Sequence, residues 1–329
     1  MKFCDSKTEI LILRDKDTDL SYGKKPEERT IAELFDNSIV NVDKPKGLTS
    51  HQVSEIAKIL TLGRKSGHSG TLDVNVTGVL PVLLNNATKV AQAFTFLRKK
   101  YVGILRLHGD VSDNEIEQIF IYFTGEIYQK PPQKSAVKRC LRIREIHSLK
   151  ILEREGREIL FEVECDSGTY IRKLCHDIGL ISGAGANMQA LRRTRAGSFD
   201  ESSITTLHEL SDAFALYKKG DEKPLRTVIY PVEKSVEQFR KIWVSDGAVD
   251  ALCNGSKLYA SGVCKLHSNI QKNEHIAIMS LKDELIALGK SELSAEEIAK
   301  ATSGIVSSTE RVIMNRGTYP KSWKSNSQD

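Results

Sequence analysis

Long hydrophobic runs are missing from this chain. No stretch approaches the roughly 18 consecutive apolar residues that a bilayer-crossing helix needs, so no membrane span is expected. The opening residues MKFCDSKTEILILRDKDTDL lack the apolar core of a secretory signal. Cysteine is sparse: Cys4, Cys140, Cys165, Cys175, Cys253 and Cys264 include no C-x-x-C pair and no histidine at zinc-finger spacing. That argues against a disulfide scaffold or structural metal and for buried thiols in a reducing compartment, the cytoplasm. Neither sign of charge dominates. Forty-eight Lys and Arg against 43 Asp and Glu give a net charge of +5, which permits a polyanionic partner without demanding one. Internal repeats and low-complexity tracts are absent too, which excludes a solenoid.

What is there is the composition of a globular chain, 40% hydrophobic and 28% charged, at a length of 329 residues that favours two domains. Residues 1–35 are charge-rich with one short apolar run, Ile10–Leu13. They read equally as an extension docked elsewhere or as a disordered tail. A strand at Ser38–Val42 runs into the turn Asp43–Gly47. Thr49 or Ser50 can then cap a helix whose Val53, Ile56, Ala57 and Leu60 form one stripe. After the loop Gly67–Asp73 comes a buried run, Val79–Leu84, and a helix expected to be capped by Thr88. In the strand from Tyr101 to Leu107, alternation puts Tyr101, Gly103, Leu105 and Leu107 on one face. Asp113 and Thr169 are the expected caps of two further helices. From Arg240 the strands shorten, Lys282–Glu284 closes a hairpin, and Ser294 with Glu297 forms a capping box. The expected fold is α+β: a mixed, mainly antiparallel sheet domain with flanking helices over 36–235, then a small β-barrel over 240–318 and a tail, 319–329.

The loop Gly67-His68-Ser69-Gly70-Thr71-Leu72-Asp73 carries the densest chemistry. Its glycines allow positive φ and close backbone approach. An Asp between Leu72 and a buried run is expected to be poorly solvated unless something pairs with it, so either it has a cationic partner or it is itself the reactive group. Spacing alone also allows Asp73 to be a turn residue, Tyr101 a core tyrosine, Arg172 a surface charge and His68 an ordinary loop histidine. The basic segment with Lys134, Lys138, Arg139, Arg142 and Arg144, and the cluster Arg192-Arg193-Arg195, suit phosphate contacts or a solvated face.

Five segments in order resemble the TruB/dyskerin family of RNA pseudouridine synthases. They are Asp43–Ser50, GHSGTLDVNVTGVLPV at 67–82, Lys100-Tyr101-Val102, Ser167-Gly168-Thr169-Tyr170-Ile171-Arg172, and Leu191–Gly197. Ala277–Gly289 and Arg316–Trp323 resemble the PUA domain of the dyskerin branch. The chain stops soon afterwards without a long lysine-rich tail, as in the archaeal type. The resemblance implies that Asp73 is the catalytic aspartate and that Tyr101 stacks on the target uracil. It implies that Arg172 pairs with Asp73, that Tyr170 lines the pocket, and that His68 sits beside the flipped nucleotide. Lys44, Lys46, Lys138, Arg139, Arg142, Arg192 and Arg193 are the expected RNA contacts. One departure is Val74, where the family often has proline.

The implied reaction isomerises uridine in RNA. The N1–C1′ bond breaks and the uracil reattaches through C5, after the base has left its stack. A carboxylate acting at C1′, at C6 or as the base in a glycal route would serve, with no cofactor or metal. An aromatic shelf contributes ~1–3 kcal/mol to holding the base. The implied partners are an H/ACA guide RNA, rRNA or tRNA substrate, and small H/ACA core proteins. A stand-alone synthase for the T-arm uridine of tRNA, a non-catalytic RNA-binding scaffold and a uracil-releasing glycosylase are the alternatives.

Overall fold

Alternating apolar positions become strands, and two sheets take up most of the chain. The structure, a computed structural model, describes residues 8–131 and 140–321. The larger sheet has ten strands. Its main path runs Ile229–Pro231, Ser38–Lys44, Thr77–Leu84, Ala186–Ala196, Lys99–Leu107, Glu158–Cys165, Arg142–Glu155 and Gly125–Gln129. Along this path only the contact between Thr77–Leu84 and Ala186–Ala196 is parallel, so the expectation of a mainly antiparallel sheet holds. Helices Ser50–Leu60, Asp113–Tyr122, Ile171–Ile181 and Leu207–Lys218 flank it. The Lys99–Leu107 strand alternates as expected, with Tyr101, Leu105 and Leu107 buried.

Three helix starts differ from the sequence reading. Asn85–Thr95 is a 3-10 helix, and Thr88 Oγ1 donates to the Asn85 carbonyl at 2.8 Å instead of capping. Asn85 spends its own side chain on the Arg64 amide and the Phe35 carbonyl. Without a side-chain cap, burial of Val90, Ala93 and Phe94 holds the tighter turns. Ser112, one residue before Asp113, is the cap of its helix and accepts from the Glu115 amide. Thr169 donates to the Asp166 carbonyl, and Tyr170 takes the N-cap of Ile171–Ile181 with no side-chain capping bond to the first turn.

The small unit is a seven-stranded half-barrel ordered Ile10–Ile12, Val263–His267, Arg240–Val244, His275–Ser280, Leu285–Ser291, Ile305–Val312 and Leu258–Tyr259. The 282–284 hairpin and the Ser294–Glu297 capping box are present. A second helix, Asp246–Cys253, packs Val249, Leu252 and Cys253 inside it. The charge-rich N-terminal stretch is described from residue 8. Its strand Ile10–Ile12 pairs antiparallel with Val263–His267, so this part of it is a docked extension, not a tail. Ile39 and Val79 of the large sheet and Phe94 of the 3-10 helix Asn85–Thr95 share one core with Trp243, Ala277 and Leu288 of the small sheet. Burial across that seam fixes the two units together. Cys165, Cys175, Cys253 and Cys264 are buried free thiols, whereas Cys140 is exposed, against the expectation of uniformly buried cysteines.

Candidate active site

The segment carrying Asp73 leaves the sheet after the strand Ser66–His68 and rejoins it at Thr77. Such a loop keeps one shape only if its polar backbone is tied down. Gly70 takes φ +139°, which an L side chain rarely adopts. The Leu72 amide donates to Ser50 Oγ at 2.8 Å, and the Ser69 amide to the Pro81 carbonyl at 3.0 Å. Lys44 Nζ donates to the carbonyls of Pro45, Val74 and Val76 at 2.9, 3.1 and 2.8 Å. Leu72 is buried in the same core as Tyr101 and Ile171, so the neighbours of the candidate residues converge by packing.

Asp73 forms an ion pair with Nη2 of Arg172, which projects from the first turn of Ile171–Ile181. The side chains of Arg172 and Asp73 are 59% and 52% exposed. The expected cationic partner is thus present, and the paired carboxylate faces out while its apolar neighbours Leu72 and Val76 turn inward. Tyr170 is half-buried, and its backbone is gripped by Gln129. The Tyr170 amide donates to Oε1 at 2.9 Å, and Nε2 donates to its carbonyl at 3.1 Å. Gln129, 2% exposed, lies at the edge of the basic segment and carries no motif signal in the sequence. His68 is half-buried, and its Nδ1 accepts from the Gly70 amide at 3.3 Å. Burial, with the nearby charges of Arg193 and His51, pushes its pKa down and favours the neutral ring.

Tyr101 is 8% exposed and is the cross-strand partner of Arg193. Burial raises its pKa, and the guanidinium works against that rise. Arg193, expected on phosphate, is 1% exposed. Nε donates to the Val79 carbonyl at 2.7 Å and both terminal nitrogens to the Gly70 carbonyl at 3.3 Å. Lys44, also expected on phosphate, is fully buried. Both are inward-facing strand positions, and for Arg193 the signal was available: Leu191 and Arg193 share a face by alternation, leaving Arg192 outward. Arg192 is half-exposed but already paired, with Asp43 at 3.0 and 3.1 Å and with Glu201 at 2.6 Å. Lys46 is exposed and Arg142 half-exposed. Lys134, Lys138 and Arg139 lie outside the described residues.

Among the described residues, Glu145, His147 and Asp166 are grouped closely enough to hold a metal ion. The two ring nitrogens of His147 face different carboxylates, Nε2 to Asp166 at 3.0 Å and Nδ1 to Glu145 at 3.3 Å. Each ring nitrogen of His147 thus has a carboxylate oxygen as its neighbour. A cavity of about 980 Å³ between the sheets is lined by Phe96, Arg144, Asp166, Arg240, Lys272 and His275, and by none of the candidate catalytic groups.

Residues 58–171 match the TruB family pseudouridylate synthase N-terminal domain and 172–237 the tRNA pseudouridylate synthase B C-terminal domain. Residues 240–313 match the PUA domain and 4–54 the DKCLD domain. A protein of Methanosarcina barkeri named probable tRNA pseudouridine synthase B is 49% identical, over 93% of this chain and 91% of its own. One of the same name from Methanocaldococcus jannaschii is 47% identical, over 98% and 96%. The chain belongs to the TruB family of pseudouridine synthases. As a member of that family it is an RNA pseudouridine synthase. Its fold matches a chain of a solved Cbf5-Nop10-Gar1 complex with a TM-score of 0.91 and 46% identity, covering 96% of this chain and 97% of that one. A chain of an H/ACA ribonucleoprotein bound to a substrate RNA containing 2′-deoxyuridine gives 0.89 and 43%, covering 97% and 98%. Among the described residues no helix is long and apolar enough to cross a membrane.

Proposed function

We propose that this TruB-family enzyme isomerises uridine to pseudouridine with Asp73 as its nucleophile, as the catalytic subunit of a box H/ACA guide-RNA particle in the cytoplasm. The observation that carries the catalytic assignment is the ion pair between Asp73 and Arg172, set at the edge of the core that holds Tyr101. A guanidinium beside the carboxylate favours its ionised form, the form that reacts. The half-exposed position suits a site that stays open until RNA brings in the flipped base and excludes water. Arg172 is then released to the substrate or held beside it, Tyr101 and Tyr170 line the base, and His68 stands next to it as a neutral ring. The products balance without a redox partner: the glycosidic C1′–N1 bond breaks, C1′–C5 forms, the C5 proton leaves and N1 gains one.

The proposal of a guided particle rests on the match to chains solved with small proteins and with H/ACA RNA, which covers nearly the whole chain. A second reading is favoured by the names of the relatives: action on tRNA without a guide. Two measurements test both. Asp73→Asn is expected to abolish tritium release from RNA labelled at uridine C5 while RNA binding persists; unchanged release refutes the nucleophile. Turnover of the purified protein on tRNA and on guide-paired RNA, each with and without guide RNA and small protein partners, separates the two modes.

A further inference from the structure

Ile127 and Gln129 take the inward positions at the end of Gly125–Gln129, the edge strand of the large sheet. Ile127 follows the alternation and joins the core that holds Ile171. Gln129 puts an amide where that pattern calls for an apolar side chain, and it is buried. A buried amide is costly unless its donor and its acceptor both find partners. Both do, on one residue 41 positions along the chain: Oε1 accepts the Tyr170 amide at 2.9 Å, and Nε2 donates to the Tyr170 carbonyl at 3.1 Å. The helices beginning at Ile31, Ser50, Leu207 and Ala295 each close their own start. A Glu or Gln at their third position accepts the N-cap amide. In Ile171–Ile181 the third residue is Lys173, which has donors and no acceptor. Its N-cap amide, that of Tyr170, is served from another strand instead. The Tyr170 carbonyl also takes the Leu174 amide at 3.0 Å, the first bond of the helix. Gln129 therefore grips the peptide unit on which the helix starts.

We infer that Gln129 is a positioning residue for the isomerisation: its buried amide sets where the helix begins, and so where Arg172 meets Asp73. The inference rests on the roles proposed above for Asp73 and Arg172. Arg172 lies two residues beyond Tyr170, in the first turn. Its pair with Asp73 is half-exposed on both sides, and an exposed pair is too weak to hold a helix in place. The helix sets the pair, not the reverse. Ile171 draws the same turn inward, since it is buried beside Ile127. Apolar burial is non-directional, though, and leaves the helix free to turn about its own axis. The two bonds to Tyr170 supply the missing direction, because hydrogen bonds weaken steeply with angle. A start that slides or rotates carries the guanidinium away from the carboxylate. A misplacement of about 1 Å at a reacting site costs about 100-fold in rate.

The test is Gln129→Met, which keeps the length and bulk of the side chain but neither bond, in the full chain with its RNA. Single-turnover rates are taken at saturating RNA and well below the melting temperature, so that only folded enzyme is compared. The variant is expected to bind RNA as the parent does and to lose about 100-fold in rate. In the Arg172→Met background the same substitution is expected to cost much less, because the guanidinium it positions is already gone. Parental turnover, or the same fold loss in both backgrounds, would mark Gln129 as filling space alone and overturn the inference. Should Gln129→Met not fold, Gln129→Asn decides, since its amide stops one methylene short of Tyr170. Slowed turnover that shrinks in the Arg172→Met background supports the inference, and parental turnover overturns it. Asp73→Asn run alongside separates the failures. If it stays active, the site assignment falls; if it is inactive while Gln129→Met turns over normally, only this inference falls.

Discussion

Arg29 and Glu233 meet in a bidentate pair, Nη1 to Oε2 at 3.0 Å and Nη2 to Oε1 at 2.9 Å, with side chains 13% and 11% exposed. The same Oε1 accepts the Leu285 amide at 3.0 Å. Three parts of the chain thus close on one carboxylate: the N-terminal segment, the stretch between the sheets and the small half-barrel. Charge-assisted bidentate pairs of this kind combine strength with directional fit.

Breaking that pair from one side leaves a buried charge alone. Arg29→Met is expected to destabilise the protein by about 3 kcal/mol, seen as a lower midpoint in chemical denaturation. Arg29→Met with Glu233→Gln should recover part of the loss. A single variant as stable as the parent would show that the seam is held by the shared apolar core alone.

Arg172 sits in a much wetter pair, and exposed pairs contribute little to stability. Arg172→Met is therefore expected to leave the melting temperature nearly unchanged while slowing turnover about 100-fold. Arg172→Lys, which restores the charge without the planar fork, should recover only part of the rate. Thermal melts and single-turnover assays on one preparation check both halves.

Lys44 and Lys46 are two residues apart and are expected to behave as opposites. Lys46 is exposed and free to meet phosphate. Lys46→Ala should weaken RNA binding and reduce the slope of log affinity against log salt by about 1. Lys44 Nζ holds carbonyls around the Asp73 loop, so Lys44→Met should leave that slope unchanged and lower kcat and stability. Binding titrations across a salt series decide it.

Lys99 gives a prediction in pH. Burial depresses its pKa from 10.5 to about 7. Between those values the unfolded chain holds a proton that the folded one has released, so folding stability should rise as pH increases from about 7 towards 10.5. The slope contributed is at most about 1.4 kcal/mol per pH unit. Stability measured over pH 7 to 10 should show this component in the parent and lose it in Lys99→Met; identical slopes would place the Lys99 pKa near its ordinary value.

The order of local signals along the chain was enough for the class of fold and for the family. Alternation from Tyr101 to Leu107, the stripe at Val53 and Ala57, and the Ser294–Glu297 capping box are short-range properties, and each appears in the structure. So does the pairing of Asp73 with Arg172, implied by motif resemblance across ninety-nine positions. Alternation sets Arg193 on the face of Leu191, but which cations go inside was decided only by tertiary structure. Lys44 and Arg193 read as two basic residues among many, because burial of a charge depends on which strands lie beside it, and those strands come from distant parts of the chain. Arg193 becomes interior because Thr77–Leu84 and Lys99–Leu107 flank its strand, the first supplying the Val79 carbonyl to its guanidinium. Likewise Ile10–Ile12 is a three-residue run that cannot form a strand alone; the open edge of Val263–His267 makes it one.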